Sequence, residues 1–232
     1  MVNLEKMAGG LVVSCQAFPY EALYGGDTMT KLAVACEQGG ACAIRVNSPE
    51  IIKDVKSKVK IPVFGIYKLL PENYDKIHDI VITPTLEAAK AIVEAGADII
   101  AVDCTLREGR TKQDILDLIH SYQEVIDVPI MGEVSTLEEG LIVEEAGCQI
   151  VSTTIAGYTP YSRHIEEPDY QLVNDLHKHT KLYVNAEGRY STPEQVKKAF
   201  ENGAWTVTVG SAITRPKVIT EHFIKEMRED SK

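Results

Sequence analysis

Residues 180–216 read TKLYVNAEGRYSTPEQVKKAFENGAWTVTVGSAITRP and predict a strand, a glycine turn, a helix, a second strand and a second glycine turn. The two strands are the apolar runs 182–186 and 205–209, which Gly188 and Gly210 follow. Strand ends of this kind leave backbone N–H groups free at one edge of a sheet, and a helix start adds partial positive charge there. A (β/α)8 barrel forms its phosphate site in this way, after its seventh and eighth strands.

The same alternation of strand and helix extends over the rest of the chain. Four segments, EQGGACAIRV, EAGADIIAVD, EAGCQIVSTT and ENGAWTVTVG, repeat a helix end, a glycine and a buried strand. This fourfold repeat predicts a closed (β/α)8 TIM barrel of the phosphate-binding type, with residues 1–232 as a single domain. A doubly wound open sheet also alternates, but the chain has no GxGxxG turn, which favours the barrel. The strands predicted before residue 180 are 11–16, 41–46, 61–66, 97–103, 128–134 and 149–154.

The composition restricts the kinds of partner that the protein can have. The formal charge is −10, which argues against nucleic acid or an anionic membrane. The sequence shows neither a leader pattern nor an apolar run long enough to span a bilayer. Five cysteines, an odd number without metal-ligand spacing, indicate reduced thiols, and the six histidines do not cluster. We therefore predict a cytoplasmic enzyme without a metal site.

Polar residues interrupt the apolar strands mainly at their carboxyl ends. In a closed barrel these ends meet at one rim, where the active sites of barrel enzymes lie. Each such residue alone is equally well explained as a solvated rim residue or as half of a structural ion pair. Burying several charges together is costly unless they serve a site, so the whole set predicts one. The set consists of Gln16, Arg45, Lys68, Asp103, Glu133, Thr154 and Glu187.

Lys68 follows an apolar strand, so desolvation is expected to lower the pKa of its ammonium group. Arg45 and Arg215 would lower this pKa further, whereas the three carboxylates of the rim set would raise it. The sequence does not decide that balance. Arg215 stands just after the last glycine turn, where a guanidinium can clamp a phosphate, although a surface ion pair explains it equally well. The predicted phosphate-binding residues are Gly188, Gly210, Ser211 and Arg215.

Several of these segments resemble the N-acylglucosamine-6-phosphate (N-acetylmannosamine-6-phosphate) 2-epimerases. The similar segments are VVSCQ, AIRV, GIYK, STTIAGYT, AEGRYSTPE and AWTVTVGSAITRP, and the resemblance covers nearly the whole chain. It implies the interconversion of N-acetylmannosamine 6-phosphate and N-acetylglucosamine 6-phosphate, a step in sialic acid breakdown. It also implies a sugar phosphate as substrate, no nicotinamide, flavin or metal cofactor and, by analogy, a homodimer.

The resemblance also implies roles for single residues. Lys68 matches the proton-transfer residue of the family, and Glu187 matches its catalytic partner. The residues matching Gln16, Arg45 and Arg215 contact the substrate, and we predict further substrate contacts by Asp103, Glu133 and Thr154. Members of the family usually carry Asp where this chain has Glu133, and often Arg or Lys where it has Leu69.

Two other functions are compatible with parts of the pattern. Another sugar-phosphate isomerase or a lyase on the same barrel would keep the phosphate segment and change the other rim residues. A non-catalytic, metabolite-sensing barrel would be expected to lose Lys68 and Glu187, and this chain has both. The residues therefore favour an enzyme that moves a proton on a phosphorylated sugar.

Overall fold

The structure, a computed structural model, describes residues 2–229 and contains a closed barrel of eight parallel strands. Each strand pairs with the next along the chain, and the first pairs with the eighth, which closes the ring. The predicted (β/α)8 barrel is therefore confirmed. The strands are β1 (Gly10–Cys15), β2 (Ala43–Asn47), β3 (Val63–Ile66), β4 (Ile99–Asp103), β5 (Ile130–Glu133), β6 (Ile150–Ser152), β7 (Tyr183–Glu187) and β8 (Thr206–Val209).

Helices alternate with the strands and cover the outside of the barrel. The last strand is followed by a one-turn helix and then by a longer one, where the sequence predicted only a helix start. Within residues 2–229, every helix is too short or too polar to cross a bilayer. The helices are α1 (Thr28–Gln38), α2 (Pro49–Lys56), α3 (Leu86–Glu94), α4 (Lys112–Gln123), α5 (Leu137–Glu145), α6 (Tyr170–His179), α7 (Pro193–Glu201), α8 (Ser211–Thr214) and α9 (Pro216–Glu229).

Threonine hydroxyls fix the starts of four helices. Thr85, Thr111, Thr136 and Thr192 each accept a hydrogen bond from the backbone N–H group three residues further on. At the last three positions the threonine N–H group donates to the side chain three residues further on, which completes a capping box. The start of α7 at Thr192 and Pro193 is as the sequence predicted.

The four repeated segments end their helices in the same way. In each of them a glycine with positive φ lies between the helix and the following strand. Side-chain-bearing residues disfavour this left-handed conformation, so the glycine allows the chain to leave the helix. The predicted glycine caps are confirmed, with φ of +96° at Gly40, +104° at Gly96, +79° at Gly147 and +94° at Gly203.

The interior of the barrel changes from apolar to polar towards the carboxyl ends of the strands. Because alternate residues of a strand point to the same side, every second residue faces inwards. Ala43 and Met131 are fully buried in the apolar inner cluster. Two residues further along the same strands lie Arg45 and Glu133. Since all the strands run in one direction, these polar residues form a layer at one end of the barrel.

The amino-terminal end of the barrel is closed by the start of the chain. A 3-10 turn at Leu4–Met7 passes close to Trp205, whose indole Nε1 donates to the Leu4 carbonyl at 3.2 Å. The N–H group of Gly9 donates to the Trp205 carbonyl at 2.8 Å. The tryptophan also packs against Tyr183, with ring centroids 4.9 Å apart. These contacts attach β7 and β8 to the amino-terminal segment of the chain. The polar layer lies at the other end of the barrel.

Residues 79–83 form an extra segment in the loop before α3, as the sequence predicted. Ile82 makes an antiparallel bridge with Lys68, and the N–H group of Leu69 donates to the Val81 carbonyl at 3.0 Å. This returning segment fixes the backbone just after β3, so it also fixes the base of the Lys68 side chain.

Candidate active site

A cavity of about 550 Å³ opens at the carboxyl ends of the strands. The residues that line it come from the carboxyl ends of the strands other than β5 and from the loops that follow them, which is where the rim set was predicted to gather. Of the predicted site residues, Gln16, Arg45, Lys68, Asp103, Thr154, Glu187, Gly188, Gly210, Ser211 and Arg215 line the cavity, whereas Glu133 does not.

A buried arginine connects two carboxylates from different strands at the floor of the cavity. Arg45 on β2 donates through Nη1 to Glu187 Oε1 on β7 at 2.9 Å. Its Nη2 donates to Glu133 Oε1 on β5. Burial lowers the pKa of Arg45, but the charges of Glu133 and Glu187 raise this pKa by more, so the guanidinium remains charged.

Glu133 lies beneath this arginine and is fully buried. Burial raises the pKa of its carboxyl group, while the positive charge of Arg45 works in the opposite direction. Within the described part of the chain, Glu133 Oε2 has no hydrogen-bond partner. The predicted contact of Glu133 with substrate stays a prediction, but its position favours holding Arg45.

Both oxygens of the Glu187 carboxylate have donors. Oε1 accepts from Arg45, and Oε2 accepts from the Thr154 hydroxyl at 3.2 Å. The backbone N–H group of Glu187 donates to the Thr153 hydroxyl at 3.0 Å, and that hydroxyl donates to the Glu187 carbonyl at 2.9 Å. The Glu187 side chain is 12% exposed, so it is held in one orientation while it still faces the cavity.

Lys68 enters the cavity from the loop after β3. Its N–H group donates to the Asn47 side chain at 2.8 Å, which adds to the anchoring by residues 79–83. Burial lowers the pKa of the Lys68 ammonium to about 8, and Arg45 and Arg215 act in the same direction. Glu133 and Glu187 oppose the shift without cancelling it. The balance that the sequence left open thus favours a lysine that is partly neutral near pH 8.

The predicted phosphate-binding residues lie together on the side of the cavity formed by β7, β8 and α8. Gly188 has a φ of +110°, which a glycine adopts without strain. The Thr214 hydroxyl donates to the Ser14 carbonyl at 2.7 Å and so fastens α8 to β1. Arg215 Nη2 donates to Glu21 Oε2 at 3.3 Å. The glycine turns and a guanidinium thus face one region of the cavity.

Asp103 lines the cavity, but hydrogen bonds from its own loop occupy its carboxylate. Oδ1 accepts from the N–H group of Thr105 at 3.0 Å and from the Thr105 hydroxyl at 2.7 Å. Oδ2 accepts from Arg107 Nη2, and the whole residue is 1% exposed. A substrate contact by Asp103 stays a prediction, and in this arrangement Arg107 presents the neighbouring polar surface of the cavity.

Three buried polar atoms on cavity-lining residues have no hydrogen-bond partner in the range 2–229. They are Gln16 Oε1, Arg45 Nε and the Tyr190 hydroxyl. Gln16 Nε2, in contrast, donates to the Ser14 hydroxyl at 2.6 Å, which fixes the orientation of the amide. Because buried polar atoms are normally paired, these three atoms are available to bind polar groups of a ligand.

Sequence reasoning missed several residues around the cavity mouth. Lys76 Nζ lies 3.5 Å from the centroid of the Tyr158 ring, and Arg189 Cζ lies 5.1 Å from it. Phe18 and Glu21 come from the loop after β1. All of these residues lie on loops that follow the carboxyl ends of strands, and this position in the sequence is what could have identified them. Their irregular conformations, such as the φ of +64° at Arg189, are not encoded by a periodic pattern.

A closed barrel with ionisable side chains gathered at the carboxyl ends of its strands defines a (β/α)8-barrel enzyme. The comparison with known proteins narrows this class. The family model described as "Putative N-acetylmannosamine-6-phosphate epimerase" matches residues 29–229. The chain belongs to this family of N-acetylmannosamine-6-phosphate epimerases, which are isomerases.

Individual relatives agree with the family model over almost the whole chain. A protein of Caldanaerobacter subterraneus subsp. tengcongensis, described as a 2-epimerase for the same sugar phosphate, is 43% identical over 97% of this chain and 94% of its own. A Clostridium perfringens protein with the same description is 41% identical over 95% and 97%. The solved structure of the N-acetylmannosamine-6-phosphate 2-epimerase from Clostridium perfringens superposes with a TM-score of 0.85 at 39% identity, covering 96% of this chain and 95% of that one.

The buried ion pairs predict how stability responds to the loss of Arg45. Arg45→Met leaves the Glu133 carboxyl buried without its cation, which should lower the free energy of unfolding by about 3–5 kcal/mol near pH 8. The pKa of the Glu133 carboxyl is raised in the folded protein. The fold therefore becomes less stable as the pH rises towards this folded-state pKa. The deficit relative to the unmodified protein should therefore shrink towards pH 5, as measured by urea unfolding across this range.

A double variant provides the control for this experiment. Arg45→Met combined with Glu133→Gln removes the uncompensated charge and should recover much of the lost stability and weaken its pH dependence. If Arg45→Met alone unfolds like the unmodified protein at every pH, the two carboxylates do not depend on this arginine.

Proposed function

We propose that the protein inverts carbon 2 of N-acetylmannosamine 6-phosphate to give N-acetylglucosamine 6-phosphate, in amino-sugar (sialic acid) catabolism. Membership of the epimerase family supports this substrate. The observation that carries the proposal is the presence of Lys68 and Glu187 in one cavity, with the pKa of Lys68 lowered to about 8. Such a pKa leaves both the amine and the ammonium form populated near neutral pH, as reversible proton transfer requires.

The reaction is a deprotonation followed by a reprotonation. When the sugar ring is open, carbon 2 lies beside the aldehyde carbon, and the carbonyl group acidifies its C–H bond. Neutral Lys68 removes this proton, and an enolate-like state forms. A proton then returns to the opposite face, from the Lys68 ammonium in a one-base route or from a second acid in a two-base route, and the stereocentre is inverted. No nicotinamide, flavin or metal takes part in this scheme.

Glu187 acts with Lys68 in this scheme, by polarising the amine, by assisting ring opening or by shuttling a proton. Arg45 and Thr154 hold the two Glu187 oxygens and so fix the direction of that carboxylate. Gln16 and Arg45 also carry unpartnered polar atoms that can bind the hydroxyl groups and the developing oxyanion. Glu133 contributes from beneath by keeping Arg45 in place.

The phosphate group binds at the β7–β8 side of the cavity. Gly188, Gly210 and Ser211 offer backbone and hydroxyl groups, and Arg215 offers its guanidinium. Glu21 now accepts from Arg215, so a phosphate would share that guanidinium with the carboxylate. Binding energy from this remote group orients carbon 2 towards Lys68.

The proposal places the enzyme in the cytoplasm, and free thiols at all five cysteines fit that reducing compartment. The charge of −10 disfavours nucleic acid as a partner. We also propose a homodimer. Helix α9 exposes apolar side chains, with Val218 40%, Phe223 65% and Ile224 43% exposed, and a second copy of the chain would cover them.

The oligomeric state is tested by light scattering coupled to size-exclusion chromatography. We expect the mass of a dimer, and we expect Phe223→Glu to give a monomer because it places a charge within the apolar face of α9. Val125→Glu puts the same charge at an exposed apolar position away from α9 and should remain dimeric. A monomer for the unmodified protein at micromolar concentration contradicts this part of the proposal.

Solvent exchange tests the reaction itself. When N-acetylmannosamine 6-phosphate is incubated with the enzyme in D2O, NMR should show N-acetylglucosamine 6-phosphate with deuterium at carbon 2. The reason is that a proton released to a lysine exchanges with solvent before it returns. A product without deuterium would exclude solvent-exchangeable proton transfer, and conversion of neither hexosamine phosphate would exclude the epimerase.

Single substitutions test the two residues assigned to proton transfer. Lys68→Ala and Glu187→Gln should each lower kcat by about 10²- to 10⁴-fold, with a much smaller effect on inorganic phosphate binding. In the unmodified enzyme, kcat/KM should fall as pH decreases through about 8, because Lys68 becomes protonated. Lys90→Ala, at an exposed position on α3, is the matched control. Near-normal turnover in either site variant removes that residue from the mechanism.

A further inference from the structure

An aromatic ring from the loop after β1 lies between two cations of the cavity. The centroid of the Phe18 ring is 5.0 Å from Lys68 Nζ and 5.7 Å from Arg215 Cζ. Both distances are within the range at which a ring face attracts a cation. This loop belongs to neither the proton-transfer pair nor the phosphate-binding turns, and the mechanism above makes no use of its ring.

The position of the ring is fixed from two sides. Glu21 Oε2 accepts from the Phe18 N–H group at 2.8 Å and also from Arg215 Nη2 at 3.3 Å, so one carboxylate holds the loop and the guanidinium together. The ring also stacks on Tyr20, with centroids 5.5 Å apart and planes inclined by 12°. The Phe18 ring therefore presents a defined surface to the cavity.

Lys68 needs a contact of this kind because its side chain is long and flexible. The nearby carboxylates Glu133 and Glu187 form their ion pairs with Arg45, not with Lys68. A ring face attracts the ammonium without neutralising it, and it leaves the neutral amine free to approach a substrate.

We propose that Phe18 is a positioning residue whose ring holds the Lys68 ammonium and, on the phosphate side, the Arg215 guanidinium at fixed places in the cavity. Its consequence for catalysis rests on the proposed function, because it assumes that Lys68 transfers the proton. The contact itself does not depend on that assumption.

The charges around Lys68 determine how the contact can be measured. Arg45 on β2 and Arg215 after α8 lower the pKa of Lys68, and Glu133 on β5 and Glu187 on β7 raise it. A change confined to the Phe18 ring leaves these four charges as they are. Because a ring face stabilises the ammonium form, weakening the electron density of the ring should lower the pKa of Lys68 further.

Fluorinated phenylalanines at position 18 provide this change with little alteration of shape. The experiment compares the full-length enzyme carrying phenylalanine, 4-fluoro-, 3,5-difluoro- and 3,4,5-trifluorophenylalanine at this position. The pKa of Lys68 is read by NMR titration of lysines labelled with ¹³C at Cε, with Lys68→Ala assigning the signal. We expect the pKa to fall stepwise with each fluorine, by about 0.4–0.7 unit in total.

Two further measurements separate this inference from the proposed function. Tyr24→Leu removes an exposed ring of the same loop that does not stack on Phe18, and should leave the pKa of Lys68 within the spread of one fluorine step. A constant pKa across the fluorine series overturns the inference, even if the enzyme epimerises normally. If the pKa falls but the acid limb of kcat/KM does not move with it, the contact is supported and the proton-transfer role of Lys68 is refuted.

Discussion

The pairing of Arg45 with Glu133 and Glu187 is the interaction on which the rest of the site depends. The three side chains come from β2, β5 and β7, so they meet only when the barrel closes in the observed register. Buried charges without partners are strongly destabilising. A barrel that closed with a shifted strand would leave at least one of these groups unpaired. The contacts that form the site therefore also destabilise a barrel with any other strand register.

This pairing also explains the state of the lysine. If the carboxylates paired with Lys68, its ammonium form would be stabilised and its pKa would rise. Arg45 pairs with both carboxylates instead, and burial lowers the pKa of Lys68, with the positive charge of Arg45 acting in the same direction. The site therefore holds two carboxylates close to a lysine and still keeps that lysine's pKa below its ordinary value. One arginine both orients Glu187 and prevents it from pairing with the proposed base.

The sequence predicted the barrel and its polar rim because both are local patterns. Helix ends such as Ala95–Gly96 and strand ends such as Asp103 are visible in a short window. The pairings were not predictable, since the partner of Arg45 depends on the stagger of strands far apart in the chain. The engagement of Asp103 by Arg107 was equally hidden, because it needs a 3-10 turn in which Glu108 has a φ of +54°. Phe18 lies on a loop whose sequence has neither helix nor strand periodicity, so no local pattern predicted its position.

The two positions at which the resemblance implies other residues lie in different surroundings in this fold. Glu133 contacts Arg45 from a fully buried position and does not line the cavity, so its carboxylate acts on the arginine. Leu69 lies elsewhere. It is 40% exposed and borders a shallow surface depression beside Val81 instead of the main cavity. A change at position 133 therefore acts directly on the arginine that controls Lys68, whereas position 69 borders a separate depression that Lys68 also lines.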